Sequence, residues 1–220
     1  MPILTQHADV AVLDLGAGEN RFHLGWIAET EAALDKVATA EGPRALVTVA
    51  DGKFFSNGLD LEWASAHPDR FSDYLASVER LLARVLTLPL VTTAVVQGHA
   101  FAAGAMFTLA HDFRIMRADR GFWCLPEADL GLPFSPGMSA LIQARLTPQT
   151  AHAAMTTGRR YGGEDALAAG IVDRVAGEAE LRETALALAA SQAGRASAAL
   201  ATIKETLYAP VLRALRHEGG

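Results

Sequence analysis

Glu127 has surroundings that do not suit a solvated carboxylate. In GFWCLPEADLGLPFSPG, residues 121–137, it follows Trp123, Cys124, Leu125 and Pro126, and Leu130, Leu132, Pro133 and Phe134 come soon after. An apolar pocket disfavours the ionised form and lifts a carboxylate toward the range where it is a useful base. Asp129 could complete a carboxylate dyad, or it could be a cap or surface residue. Cys124 has no marked partner base and reads as a buried inert thiol.

Two glycine-bearing loops could do a second kind of chemistry. FFSNGLDL (54–61) and QGHAFAAGAMF (97–107) each follow an apolar, strand-like run. Small residues at such strand ends let a ligand approach the backbone and leave an N–H pointing outward. Crevices in open α/β sheets lie at strand ends of this kind. Glycines that only make turns would leave the same pattern. His99, inside the second loop, could touch a ligand or could be a hydrogen-bonded structural histidine. Lys53, or Arg159 with Arg160, could meet phosphates or could be solvated surface charge.

Other chemistries find no motif. There is no G-x-G-x-x-G after a strand and no Walker phosphate loop. There is no G-x-S-x-G. The seven histidines are scattered, and neither H-E-x-x-H nor C-x-x-C occurs, so no metal site is expected.

The loops and Glu127 need strands and helices to hold them. DVAVLDL (9–15), RALVTVA (44–50), LVTTAVVQG (90–98), FRIMRA (113–118) and IVDRV (171–175) read as strands. Residues 24–42 read as a helix ending at Gly42, and 72–88 as an amphipathic helix stopped by Pro89. Residues 102–112 read as a helix of small residues, and 51–58 as a loop. Past Pro136 the pattern turns helical, and the Ala-rich stretch after Gly177 reads as helix rather than linker. Strands alternating with helices predict an α/β fold with a mostly parallel sheet.

Composition limits the partners. The chain has 220 residues, 50% of them hydrophobic and 20% charged, enough for one large core. A net charge of −6 without a basic stripe argues against nucleic-acid binding. One cysteine excludes an internal disulfide and fits a reducing compartment. No signal-peptide pattern and no apolar run of membrane-spanning length occurs. A soluble cytoplasmic protein with no membrane partner is the expectation.

Taken together and in order, FFSNGLDL, QGHAFAAGAMFTLAHDFRI and LPEADLGLPFSPG resemble the crotonase family, the enoyl-CoA hydratase/isomerase superfamily. The likeness runs from about Ala11 to about Lys204. It implies a spiral of ββα units over residues 1–190, with a short C-terminal helical segment over 191–220. It implies an acyl-CoA thioester substrate, no cofactor beyond the CoA of that substrate, and a homotrimer or hexamer. Carried over by motif, the backbone N–H groups of Leu59 and Ala103 form an oxyanion hole, and Glu127 is the acid/base facing C2 of the acyl chain. Lys53, Ser56, Gly58, Asp60, Gly104 and Met106 are the implied substrate contacts.

The departures narrow the reaction. Hydratases of the family carry a second glutamate at the position of Met106. Dienoyl-CoA isomerases carry an aspartate at the position of Ser135. One carboxylate suffices for a 1,3-proton shift, so the resemblance points to a Δ3,Δ2-enoyl-CoA isomerase. A hydratase or other lyase using Glu127 alone is the alternative within the family. An acyl-CoA-binding or RNA-associated protein without catalysis is the alternative outside enzymes.

Overall fold

The computed structural model describes residues 1–217. The chain winds in turns that each lay one strand in a large sheet and one short strand in a small sheet, then add a helix. The N-terminal hairpin, β1 (Ile3–His7) and β2 (Val10–Asp14), leads into helix α1 (Leu24–Thr39). The first full turn is β3 (Ala45–Val49), β4 (Phe54–Ser56), and helices α2 (Leu61–Ala66) and α3 (Phe71–Leu86). The second is β5 (Val91–Val96), β6 (His99–Phe101) and α4 (Ala103–Ala110). The third is β7 (Phe113–Arg117), β8 (Trp123–Cys124) and α5 (Glu127–Leu130).

Three helices follow: α6 (Pro136–Arg145), α7 (Pro148–Thr157) and α8 (Gly163–Ala168). Strand β9 (Arg174–Ala176) then closes the large sheet, and α9 (Glu178–Gln192), α10 (Ala198–Leu207) and α11 (Ala209–Leu215) complete the described chain. The large sheet runs β1-β2-β3-β5-β7-β9, parallel after the first hairpin, and the small one runs β4-β6-β8, all parallel. This is the expected ββα spiral. Helix α9 crosses residue 190, and the expected C-terminal segment 191–220 extends past the last described residue.

Burial explains why these segments became strands. Along β2, Ala11 and Leu13 face one core while Val10 and Val12 face another. The first core lies under α1, α3, α4, α6 and α11. The second lies under α9, whose Leu181, Ala185 and Ala189 pack on Val47, Val95 and Ile115. With helices on both faces, β3 is buried along its whole length, which is why it reads as a continuous apolar run. The alanines of α9 let that helix lie close on the sheet, so the Ala-rich stretch is helix and not linker.

The structure shifts some sequence expectations. Residues 51–58 are not all loop, because β4 occupies Phe54–Ser56. The last strand is Arg174–Ala176 rather than 171–175, since Ile171 and Val172 bond back to Ala166 in the turn after α8. The strand Ile3–His7 was not expected; it is an exposed edge with little apolar alternation. Among the described residues, no helix is long and apolar enough to cross a membrane.

Candidate active site

Strand β8 delivers Glu127. The strand ends at Cys124, Leu125 and Pro126 turn the chain, and Glu127 opens the short helix α5. The Glu127 carbonyl accepts from the N–H of Leu132, which folds Leu130, Leu132, Pro133 and Phe134 around the same space. The side chain is buried, and its Oε2 has no hydrogen-bond partner among the described residues. Burial pushes the carboxyl up to about 7, against a weaker downward pull from its own backbone N–H.

Two backbone segments meet opposite it. In the first, Ser56 Oγ accepts from the N–H of Gly58 at 3.1 Å and donates to the Asn20 carbonyl at 2.8 Å. The N–H of Asp60 donates to the Tyr74 hydroxyl at 2.8 Å. Both neighbours of Leu59 are thus tied, and the Leu59 N–H finds no acceptor among the described residues. In the second, the N–H of Ala102 donates to the Cys124 carbonyl at 3.1 Å, and the Met106 N–H donates to the Ala102 carbonyl at 3.1 Å. Ala103 is the first residue of α4, and its N–H is likewise free of an acceptor among the described residues. Ala102 takes φ 51° and ψ −126°, a strained conformation for an alanine.

Two glycines bring these segments together. A methyl group on Gly58 would stand 2.9 Å from the Phe101 carbonyl oxygen and 3.0 Å from the Ala103 nitrogen. A methyl on Gly104 would stand 2.5 Å from the Ser56 carbonyl oxygen. Neither approach is possible with a β-carbon in place.

The cavity between Glu127 and these segments measures about 830 Å³. Leu59, Ala103, Met106 and Glu127 all line it. Its walls are mainly apolar, with Leu61, Phe71, Leu75, Phe134 and Met138 among them, and Arg21 stands at its rim, paired with Glu19 at 2.5 Å. Volume and apolar lining suit an acyl chain. Two backbone N–H groups without an acceptor among the described residues, lining the same mainly apolar cavity as an unpaired carboxyl, suit a developing oxyanion and a proton in flight.

Five of the expected substrate contacts do not line this cavity. Ser56 is fully buried and holds the loop from behind. Gly58 and Gly104 act by letting backbone approach backbone. Asp60 caps α2, accepting from the Trp63 N–H at 3.1 Å. Lys53 lies over the Phe54 ring at 5.2 Å and does not line the cavity, whose lining cation among the described residues is Arg21 instead. Asp129 is exposed and turned toward Gly158, so no dyad forms. His99 stacks on Phe122 and lies tilted against Phe101, and it does not line the cavity; burial and then the charges of Lys53, Arg160 and Arg120 lower its pKa. Cys124 donates to the Gly158 carbonyl, and burial raises its thiol to about 11, so it is inert.

Arg21 and the wall residues between 61 and 75 carried no sequence signal of their own. They belong to segments whose apolar residues could have served any core.

The chain matches the enoyl-CoA hydratase/isomerase family over residues 5–218. It is 36% identical to enoyl-CoA delta isomerase 3 of Arabidopsis thaliana over 97% of this chain and 94% of that protein. It is 37% identical to carnitinyl-CoA dehydratase of Escherichia coli K12 over 79% of this chain and 67% of that protein. The human mitochondrial delta3-delta2-enoyl-CoA isomerase superposes with a TM-score of 0.91 at 24% identity, over 99% of this chain and 86% of that one, a likeness of fold.

Proposed function

Because this chain belongs to the enoyl-CoA hydratase/isomerase family, we propose that it is a Δ3,Δ2-enoyl-CoA isomerase of fatty-acid degradation. Its substrate is a 3-enoyl-CoA and its product the conjugated 2-enoyl-CoA. The observation that carries the reading is that, among the described residues, Glu127 is the one carboxyl lining the cavity and is unpaired at Oε2, with Met106 of α4 lining the same cavity where a second acid would stand.

Glu127 takes a proton from C2, and the electron pair passes into the thioester carbonyl to give a dienolate. The N–H groups of Leu59 and Ala103 hold the oxygen as it gains charge. Glu127 then returns the proton to C4, and the double bond settles between C2 and C3. Nothing is added to or lost from the substrate, so the step balances with one group that is base first and acid second. Apolar walls keep water away from the dienolate and hold the carboxyl near neutrality. Arg21 at the rim faces the phosphate-bearing end of the ligand. A homotrimer or hexamer, and a cytoplasmic setting, are part of the same proposal and rest on resemblance and charge.

The similarity to carnitinyl-CoA dehydratase supports a second reading, addition or removal of water at the same Glu127. The separating experiment follows loss of 3-enoyl-CoA and formation of 3-hydroxyacyl-CoA in parallel. Conjugation without hydration supports the isomerase; hydration as fast as conjugation rejects it.

A further inference from the structure

One buried ionisable group outside this account stands against the cavity wall. Glu79, on α3, has no exposed surface. Its Oε1 accepts a 2.6 Å hydrogen bond from Ser135 Oγ, and Ser135 lines the cavity. Its Oε2 lies 2.7 Å from His217 Nε2, on a side chain that is 58% exposed. That approach is off the N–H axis, so it is an ion contact and not an aligned hydrogen bond. Burying a carboxylate is costly without strong partners. Helix capping does not call for it. Ser135 already caps α6 by accepting from the Met138 N–H at 3.1 Å, and serine does this without a carboxylate behind it. What the arrangement does make is a continuous polar chain from the cavity to solvent, through a wall that is mainly apolar.

We propose that Ser135 and Glu79 are a second proton-handling pair of the cavity, connected to solvent through His217. The inference rests on the isomerase reading above and adds a route to it. The dienolate is protonated either by Glu127 or by the pair. In the second route the Ser135 hydroxyl proton passes to carbon, which uses the dienolate electron pair to form the C–H bond. Before this, His217 passes a proton to Glu79, its exposed ring swinging into line without disturbing the core, and the Ser135 hydroxyl turns from Glu79 to the cavity so that Glu79 donates to Oγ. The Glu79 proton then moves to Ser135 Oγ as that O–H bond breaks, Glu79 returns to its carboxylate, and His217 is reprotonated by water. Glu127 releases the C2 proton to water at the rim. One proton enters and one leaves per turnover, and no redox partner is involved.

The test is isomerisation of a 3-enoyl-CoA in D2O under single-turnover conditions, reading deuterium at C4 of the product by mass spectrometry. The readout is a ratio within the product, so it does not depend on how fast or how well folded a variant is. Wild type is expected to place solvent deuterium at C4. Loss of one proton-transfer group slows its own step by about 10²–10⁴, so Glu79→Gln and Ser135→Ala should cut that deuterium about tenfold or more. His217→Asn, a surface change, should lower it in the same direction. Wild-type product without deuterium, or equal deuterium in wild type, Glu79→Gln and Ser135→Ala, overturns the proposal. If wild type forms no 2-enoyl-CoA, the isomerase reading fails. The pair, which acts only on the dienolate of that reaction, then falls with it; 2-enoyl-CoA formed without C4 deuterium rejects the pair alone.

Discussion

Burial, and not a charged neighbour, raises the Glu127 carboxyl, and in the proposed reaction two consequences follow at this one residue. It must be ionised to take the C2 proton, so kcat/KM should rise with pH and level off above an inflection near 7. Its folded pKa stands above the ordinary 4.5, so charge is disfavoured in the folded state. The stability it allows is complete below 4.5 and is lost as pH rises through 7. Glu127→Gln should therefore lose roughly 10²–10⁴ or more in rate. The same variant should be more stable than wild type at pH 8, by up to about 3 kcal/mol in urea unfolding. Retention of a third of the turnover would remove Glu127 from its role. Ala102→Gly should relieve strain and stabilise by about 1 kcal/mol in the same assay. Glu127 was legible in the sequence because the residues that make its pocket are its chain neighbours. Glu79 was not, because its partner Ser135 is 56 residues away and nothing local marks the contact.

The two proposed oxyanion donors, the N–H groups of Leu59 and Ala103, belong to elements rather than to side chains. Leu59→Ala keeps the N–H and should retain most activity, whereas Leu59→Pro removes it and should be far worse. Equal activity in the two folded variants would contradict the assignment. Gly104→Ala would force a β-carbon against the Ser56 carbonyl and push α4 away from the first loop. Its expected cost is about 2.7–4 kcal/mol of barrier, measured as kcat, with a smaller change in KM. The long strands and helices were legible because apolar runs and 3.6-residue periodicity mark burial. The small sheet was not: its strands are two or three residues long, too short to show a period. Its existence follows from the spiral, which sets each short strand beside the last one. The strain at Ala102 left no mark either, since alanine is the wrong residue by which to recognise a positive φ.

Across the whole molecule, the cavity draws on residues from Arg21 to Met138, and α11 backs its wall by packing on α6. The C-terminal helices are tied in by Lys204, whose ammonium donates to the Leu90 carbonyl at 2.8 Å and to Asp112 at 2.6 Å. Lys204→Met should leave Asp112 short of its partner and cost about 3 kcal/mol in urea unfolding. The spiral was legible only because three motifs stand in order along the chain; strand and helix patterns alone indicate no more than α/β. The wall between residues 61 and 75 was not legible, because a cavity lining and a core are both apolar. The most direct test of the central claim is one progress curve: purified protein with a 3-enoyl-CoA, followed by the ultraviolet absorbance of the conjugated thioester. The account predicts that 2-enoyl-CoA forms in equal amount to the substrate lost, with no 3-hydroxyacyl-CoA accumulating at a comparable rate, and that Glu127→Gln gives a flat trace. Hydration by the wild type as fast as conjugation, or conjugation by the mutant at the wild-type rate, would contradict it.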